Sequence, residues 1–104
     1  MRIGDQYEWN IDGTKERHFQ WDKGMLHGYD TIWYINGQIK QVSFWLHGYM
    51  NKYYIQYYDN GKKELDGNYL AGKEIGIWYL YNREGRVVQE NYYDKGKLIK
   101  SISR

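Results

Sequence analysis

Aromatic and glycine positions recur along the chain with one fixed spacing of 24 residues. Two columns of large aromatic side chains follow this spacing, namely Trp9, Trp33, Tyr57 and Tyr81, and Trp21, Trp45, Tyr69 and Tyr93. Two columns of glycine follow it as well, namely Gly13, Gly37, Gly61 and Gly85, and Gly24, Gly48, Gly72 and Gly96. A fixed period over almost the whole chain indicates a repeat architecture. The pattern predicts a lead-in strand at 1–8 and a single repeat domain of four copies, at 9–32, 33–56, 57–80 and 81–104.

Each copy contains two turn signals, and short stretches that suit β-strands lie between them. Asn36-Gly37 and Asn60-Gly61 are strong hairpin signals, because glycine reaches positive φ without steric cost. We expect a three-residue loop at 35–37, formed by a type I turn that a left-handed glycine closes. The second turn of each copy is predicted to be longer, at 22–27, 46–51 and 70–75.

No part of the chain shows an apolar period of 3.6 residues, so essentially no helix is predicted. Consecutive hairpins with short loops favour an antiparallel meander, and strand twist coils such a sheet. The predicted fold is therefore all-β, an elongated and twisted single antiparallel sheet of 8–9 strands. All eight aromatics of the two columns stand at odd positions, and an odd-numbered loop keeps that parity. They are therefore predicted to share one face of the sheet.

Aromatic residues dominate the apolar composition, with 13 Tyr, 5 Trp and 2 Phe among 104 residues. This composition predicts a thin sheet whose flat side chains cover one another, rather than a thick aliphatic core. The net charge of +2 is too small to indicate a nucleic-acid partner. The charge is unevenly spread, since the copy at 81–104 carries +3. Both a solvated face and a patch for an anionic partner are consistent with that cluster.

The chain has no Cys, so we expect neither a disulfide framework nor a thiolate metal site. The first ten residues carry charges where a signal peptide would be apolar. No stretch approaches the roughly 20 apolar residues that a membrane span needs. These observations predict a soluble, cytoplasmic protein without a membrane span.

No arrangement of residue types indicates catalysis. The three histidines lack the spacing of metal ligands, and no serine lies in a nucleophile motif. Glu64 and Asp66 are a carboxylate pair on one face, but carboxylates two residues apart on a strand are usually only solvated. No glycine-rich phosphate motif occurs. We therefore expect a protein that is not an enzyme and has no catalytic residue, no metal site and no cofactor.

The stretch 67–85 reads GNYLAGKEIGIWYLYNREG. It resembles a MORN-type repeat, whose pattern is roughly G-x-Y/W-x-x-G-K-x-x-G followed by spaced aromatics. The 24-residue spacing and the run YYDNGK at 57–62 resemble the bacterial variant of that repeat found in YwqK-type antitoxins. The resemblance covers about 9–100, although Lys52 and Lys100 stand where Gly28 and Gly76 carry the glycine of the pattern. It implies an antiparallel hairpin array that acts as a binding scaffold, with toxin neutralisation or lipid and protein scaffolding as the associated roles.

An open sheet has no second layer to cover its faces, and exposed Tyr and Trp are frequent interface hot spots. Together with the resemblance, this favours a non-enzymatic protein-binding inhibitor, of the antitoxin or immunity kind or a phage-type inhibitor of a defence enzyme. Its partner would be a protein target, namely a toxin or effector enzyme. The predicted partner-binding residues are Trp33, Trp45, Tyr57, Tyr69, Trp21 and Tyr81.

Other interpretations of the same pattern stay open. The aromatic columns could serve packing alone, or they could form a platform for a glycan. A lipid-surface scaffold is a further alternative, whereas nucleic-acid binding is not expected. An unpaired edge strand near Tyr7 would also allow a homodimer.

Overall fold

The computed structural model describes residues 3–104, and within this range it contains ten β-strands and no helix. The strands are β1 (Ile3–Trp9), β2 (Lys15–Asp22), β3 (Met25–Trp33), β4 (Ile39–Leu46), β5 (Tyr49–Met50), β6 (Lys52–Tyr57), β7 (Lys63–Leu70), β8 (Lys73–Tyr81), β9 (Val87–Asp94) and β10 (Lys97–Ser103). The prediction of a lead-in strand at 1–8 falls partly on residues 1 and 2, which lie outside the described residues. The all-β class predicted from the sequence is confirmed.

The strands form one open antiparallel sheet in the order β1-β2-β3-β4-β6-β7-β8-β9-β10, and the short β5 pairs with β4. Both β5 and β6 pair with β4, and every other connection is a hairpin between neighbours, so the chain advances steadily from one edge of the sheet to the other. The molecule measures 43 × 32 × 14 Å. Its smallest dimension leaves room for one sheet and its side chains, because stacked sheets lie about 10 Å apart before their outer side chains are counted. The predicted elongated single sheet is therefore correct.

The first turn of each copy follows the prediction. In the copy at 33–56, the Gly37 backbone N–H donates to the Tyr34 carbonyl, and the Tyr34 N–H donates to the Gln38 carbonyl. Gly37 has a φ of +88° and closes the three-residue loop. The Asn36 side-chain oxygen accepts from the Gln38 N–H at 2.9 Å and fixes the turn.

The second turn of each copy is tighter than the sequence suggested, and the predicted longer turns are wrong. Asp22 pairs with Met25, so only Lys23 and Gly24 form the loop. Their φ values are +53° and +77°, which is the backbone of a type I′ hairpin. The corresponding pairs are His47-Gly48, Ala71-Gly72 and Lys95-Gly96, all with positive φ. The type I′ geometry matches strand twist well enough to accept residues other than Asn or Gly at its first position.

The two aromatic columns lie on opposite faces of the sheet, so the predicted shared face is also wrong. Ile32 pairs with Gln41, but the adjacent Trp33 pairs with Ile39, which leaves Lys40 as the extra residue of a β-bulge. One extra residue reverses the odd and even positions of the following strand. Equivalent bulges occur at the corresponding first hairpins of the other copies, with Glu16, Glu64 and Val88 as the extra residues.

Antiparallel partners share a face, so the register assigns each strand side chain to one side. We call the side that carries Trp21, Trp45, Tyr54, Tyr69, Trp78 and Tyr93 the first face. The side that carries Trp9, Tyr29, Trp33, Tyr53, Tyr57 and Tyr81 is the second face.

The best-buried apolar cluster lies on the first face. Trp78 is only 4% exposed, and its ring centre lies 4.9 Å from that of Tyr69, 5.7 Å from that of Tyr54 and 6.2 Å from that of Tyr93. These are tilted or edge-to-face contacts, which aromatic pairs favour. Burial raises the pKa of Tyr54 and of Tyr69 above the ordinary value for tyrosine. The aromatic cluster therefore serves as the core of a protein that has no second layer.

Successive copies are joined by hydrogen bonds that repeat with the sequence. The Tyr34 hydroxyl donates to the Tyr57 carbonyl at 2.7 Å, and the Tyr58 hydroxyl donates to the Tyr81 carbonyl at the same distance. At the opposite ends of the strands, the Gly72 N–H donates to the Met50 carbonyl at 2.8 Å. The glycine N–H contact recurs at all three junctions between copies, and the tyrosine hydroxyl contact recurs at the last two, as expected for a repeat array.

Lys52 and Lys100, which replace glycine in the repeat pattern, behave differently. Lys52 takes a φ of +60°, close to the +69° of Gly76 and within the left-handed region that Gly28 also occupies. Lys100 is not among the residues with positive φ. Gly28 and Gly76 lie within β3 and β8, where the pairing register shifts, so this column serves an irregularity inside a strand. Lys52 adopts the same positive φ at a conformational cost.

Candidate functional site

The candidate site is an exposed apolar patch on the second face. We call the following residues the second-face patch: Met25, Tyr29, Leu46, Tyr49, Tyr53 and Leu70. Tyr29 and Tyr49 are each 61% exposed, and Leu70 is 59% exposed. Among the register-paired strand residues of the described chain, Leu98 is the one large apolar side chain that is exposed on the first face. The two faces therefore differ, since the first covers its aromatic rings and the second presents them.

The type I′ turns place part of this patch along one long edge of the sheet. Leu46 ends β4 and pairs with Tyr49, which starts β5 directly after the turn. The Tyr49 ring lies over the next turn, where a Cβ added to Gly72 would be 3.2 Å from the Tyr49 Cδ1. Met25 lies over Gly48 and Lys73 lies over Gly96 in the same manner. One side chain per copy therefore lies on the turn of the following copy.

A groove opens between two of these turns. It has a volume of about 260 Å³ and is lined by Leu46, His47, Tyr49, Asn51, Leu70 and Ala71. Leu46, Tyr49 and Leu70 supply apolar walls, and the small Ala71 leaves space at one end. An apolar groove of this kind is where an anchoring side chain of a partner is buried.

The centre of the second face holds a buried carboxylate beneath tyrosine rings. Asp66 is 4% exposed, and its oxygens accept hydrogen bonds from the Tyr53 hydroxyl at 3.0 Å, the Tyr81 hydroxyl at 3.0 Å and the Lys63 ammonium at 3.2 Å. The hydrogen bond to Asp66 raises the pKa of Lys63, which therefore stays charged. These contacts hold the half-exposed Tyr53 ring in one orientation.

The same cluster changes the acidity of its phenols. Burial, together with the hydrogen bond to Asp66, raises the pKa of Tyr81 to about 12. Burial and the same carboxylate also raise the pKa of Tyr53. Both hydroxyls are therefore neutral donors at physiological pH. Neutral phenols paired with a carboxylate orient rings, but they give no nucleophile or general base.

The histidines of the described residues do not form a metal site. The His27 and His47 rings lie 5.6 Å apart, but no group of three or more His, Cys, Asp or Glu side chains comes together in residues 3–104 to hold a metal ion. No helix within that range is long and apolar enough to cross a bilayer. The other polar clusters include ion pairs, such as the Arg17 guanidinium on the buried Asp30.

The six residues predicted to bind a partner are divided between the two faces. Trp33, Tyr57 and Tyr81 lie on the second face, whereas Trp21, Trp45 and Tyr69 lie on the first. All six are half-buried, and the structure does not bring them together into one surface. Their regular recurrence reflects packing between neighbouring strands, at least for Tyr69 in the aromatic cluster.

Sequence reasoning missed the residues of the second-face patch. These residues stand in columns that change between copies, but that change does not single them out. The column of Tyr29 and Tyr53 continues with Ile77 and Ser101, and the column of Met25 and Tyr49 continues with Lys73 and Lys97. Buried positions vary between copies as well, since the buried Asp30, Tyr54 and Trp78 stand in one column. Variation between copies therefore does not distinguish this exposed surface from the core.

Comparison with known proteins identified no relative of the chain. No protein-family model matches the chain, and no curated protein or solved structure matches it significantly. The relationship to MORN repeats stays a prediction from the sequence pattern, and the candidate site is defined by its own geometry: an exposed, aromatic face on a single-layer sheet.

Proposed function

We propose that the chain is a non-enzymatic protein-binding module that inhibits a toxin or effector enzyme by covering it with the second face of the sheet. The observation that carries this proposal is the concentration of exposed Tyr, Leu and Met side chains on one face of a one-layer sheet. Large exposed apolar patches on small proteins mark interaction surfaces.

The dimensions of the sheet suit such a role. Extents of 43 × 32 Å give each face an outline of roughly 1,400 Å², and a standard protein interface takes about 800 Å² from each partner. The backbone is held by the sheet, so little conformational entropy would be lost on binding. Tyr53 is additionally oriented by its hydrogen bond to Asp66. A rigid surface that blocks a groove or active site sterically needs no chemistry of its own.

The test compares a variant that removes exposed side chains from the second face with a control that removes an exposed apolar side chain from the first face. The first is Tyr29→Ser/Tyr49→Ser on the second face, and the control is Leu98→Ser on the first face, where Leu98 is 50% exposed. Each form is used for affinity capture from a lysate of the source organism. Any captured protein is then purified, and its binding and activity are measured with each form.

We expect one stoichiometric protein that the wild type and Leu98→Ser bind and inhibit, with at least a tenfold weaker effect for Tyr29→Ser/Tyr49→Ser. The proposal is wrong if no form retains a protein, or if the partner binds without loss of activity. Tryptophan-fluorescence titrations with cell-wall fragments and with anionic vesicles run in parallel. Saturable binding to either one, without a protein partner, would favour the glycan or lipid alternative instead.

A further inference from the structure

We propose that the type I′ turn edge of the second face binds an acidic amphipathic helix of the partner protein. This inference rests on the function proposed above and names the chemistry of the partner segment. Met25, Tyr49, Lys73 and Lys97 form a row that we call the turn-edge row. The groove walls Leu46 and Leu70 complete the surface.

The turn-edge row has one side chain per copy on the same side of the sheet. Met25, Tyr49, Lys73 and Lys97 are each the first residue of a strand after a type I′ turn, and each pairs with the last residue of the preceding strand. Successive members are two strands apart, which is roughly 9.6 Å at the usual strand spacing of about 4.8 Å. The row therefore runs across the strands.

An α-helix matches this step. Seven residues of helix advance about 10.5 Å and return the side chain to nearly the same face. A helix lying along the turn-edge row would therefore place one residue of every seven opposite Met25, Tyr49, Lys73 and Lys97 in turn. An extended segment advances about 10 Å in three residues, but its side chains alternate, so successive contacts would point to opposite sides. The spacing consequently favours a helix over a strand.

The order of residues along the row sets the chemistry of that helix. The first half is apolar, because Met25 lies over Gly48 and Leu46, Tyr49 and Leu70 line the groove of about 260 Å³. The groove volume is large enough to receive a leucine or similar side chain of the helix. Burying such a side chain in an apolar site is favourable, which makes the groove the natural anchor.

The second half of the row is basic. Lys73, Lys95 and Lys97 are exposed, and none of them takes part in the ion pairs found within residues 3–104. Asp94 is the acidic residue beside them on the second face, since it pairs with Lys97, and Glu74 belongs to the first face because it pairs with Tyr69. The net charge of this half is therefore positive. A helix that is apolar in its first two heptads and acidic in its later ones complements the row in both respects.

The experiment selects helices directly on the folded protein. A displayed library of 21-residue peptides carries leucine at two positions seven apart in its first half and random residues elsewhere. It is selected on the wild type and counter-selected on Tyr49→Ser/Leu70→Ser. Binding of the enriched peptides is then measured on Lys73→Glu/Lys97→Glu, with the single charge reversal Lys62→Glu at the opposite turn edge as the control for position.

We expect the retained peptides to be enriched in Asp and Glu in their second half. Their affinity should fall at least tenfold on Lys73→Glu/Lys97→Glu, stay unchanged on Lys62→Glu, and be lost when a central residue of the peptide becomes proline. Failure to retain any peptide, absence of the acidic bias, or indifference to proline would each overturn the inference. If binding of a captured target is weakened by loss of Tyr29 but is unchanged on Lys73→Glu/Lys97→Glu, the proposed function is retained and only the inference of a helical partner segment is wrong.

Discussion

Gly67 is the position at which a single methyl group should destabilise the protein most clearly. The Trp78 indole lies directly over this glycine on the first face. A Cβ at residue 67 would come within 2.1 Å of Trp78 Cδ2 and 2.3 Å of Cε2, well inside contact distance. Trp78 is 4% exposed and is held by Tyr54, Tyr69 and Tyr93, so the ring has little room to move. Gly67→Ala therefore forces a shift in the core of the sheet.

The magnitude follows from two opposing effects. Overpacking a well-filled site costs about 1–3 kcal/mol. Gly67 does not have positive φ, so alanine fits the backbone and gains about 0.4–1 kcal/mol from a less flexible unfolded chain. The net expectation is a loss of about 1–2 kcal/mol. For a domain of this size, that loss lowers Tm by roughly 4–16 °C.

The chain itself supplies the matched control. The positions 24 residues before Gly67 and Trp78 are occupied by Ser43 and Tyr54, a larger residue beneath a smaller ring. The double variant Gly67→Ser/Trp78→Tyr should therefore be more stable than Gly67→Ser alone. Urea unfolding followed by circular dichroism measures all the variants. The close packing of the Trp78 ring on Gly67 would be refuted if Gly67→Ala were as stable as the wild type. It would also be refuted if the double variant were no more stable than Gly67→Ser.

Three further predictions concern the backbone, the junctions and pH. Lys52→Gly should raise the free energy of unfolding by about 0.5–1 kcal/mol. Glycine removes the strain of positive φ, about 1–2 kcal/mol, and this gain exceeds the entropy cost of glycine. A lower urea midpoint than that of the wild type would contradict this prediction. Tyr34→Phe and Tyr58→Phe should each lower the free energy of unfolding by about 1 kcal/mol, because each removes a hydrogen bond between copies. Tyr49→Phe should leave the free energy of unfolding unchanged. Equal effects of all three variants in urea unfolding would contradict this role of the hydroxyls. The pKa of Tyr81 is raised from 10 to about 12, so its neutral form is favoured in the folded state. Its contribution to stability is complete below pH 10 and is lost as pH rises towards 12. Tyr81→Phe should make urea midpoints depend less on pH across that window, and an unchanged profile would count against the raised pKa.

The sequence predicted the features that depend on residue type at fixed spacing. The 24-residue period is visible in the hairpin connections, and Gly37 takes the left-handed conformation that its turn required. Positive φ at glycine is a strong local preference, so the turns that contain Asn-Gly were readable without tertiary information.

The features that were missed depend on geometry that residue type does not encode. Lys40 is an ordinary polar residue, and nothing in its type marks it as the extra residue of a bulge, yet that residue moves Trp33 and Trp45 to opposite faces. His47 and Ala71 have no preference for positive φ, so their two-residue turns were read as longer ones. Exposure of Tyr29 and Tyr49 follows from both of these features, which is why the second-face patch could not be located beforehand.

The junction hydrogen bonds have a consequence for how such a protein can change its size. The Tyr34 and Tyr58 hydroxyls bond to carbonyls 23 residues ahead, and the turn N–H of Gly72 bonds to a carbonyl 22 residues behind. A duplication of 24 residues that includes Tyr34 or Tyr58 would recreate both kinds of contact and would add two strands, or about 10 Å, to the array. Unequal recombination between these copies would thus lengthen or shorten the sheet in fixed increments of two strands without a new fold.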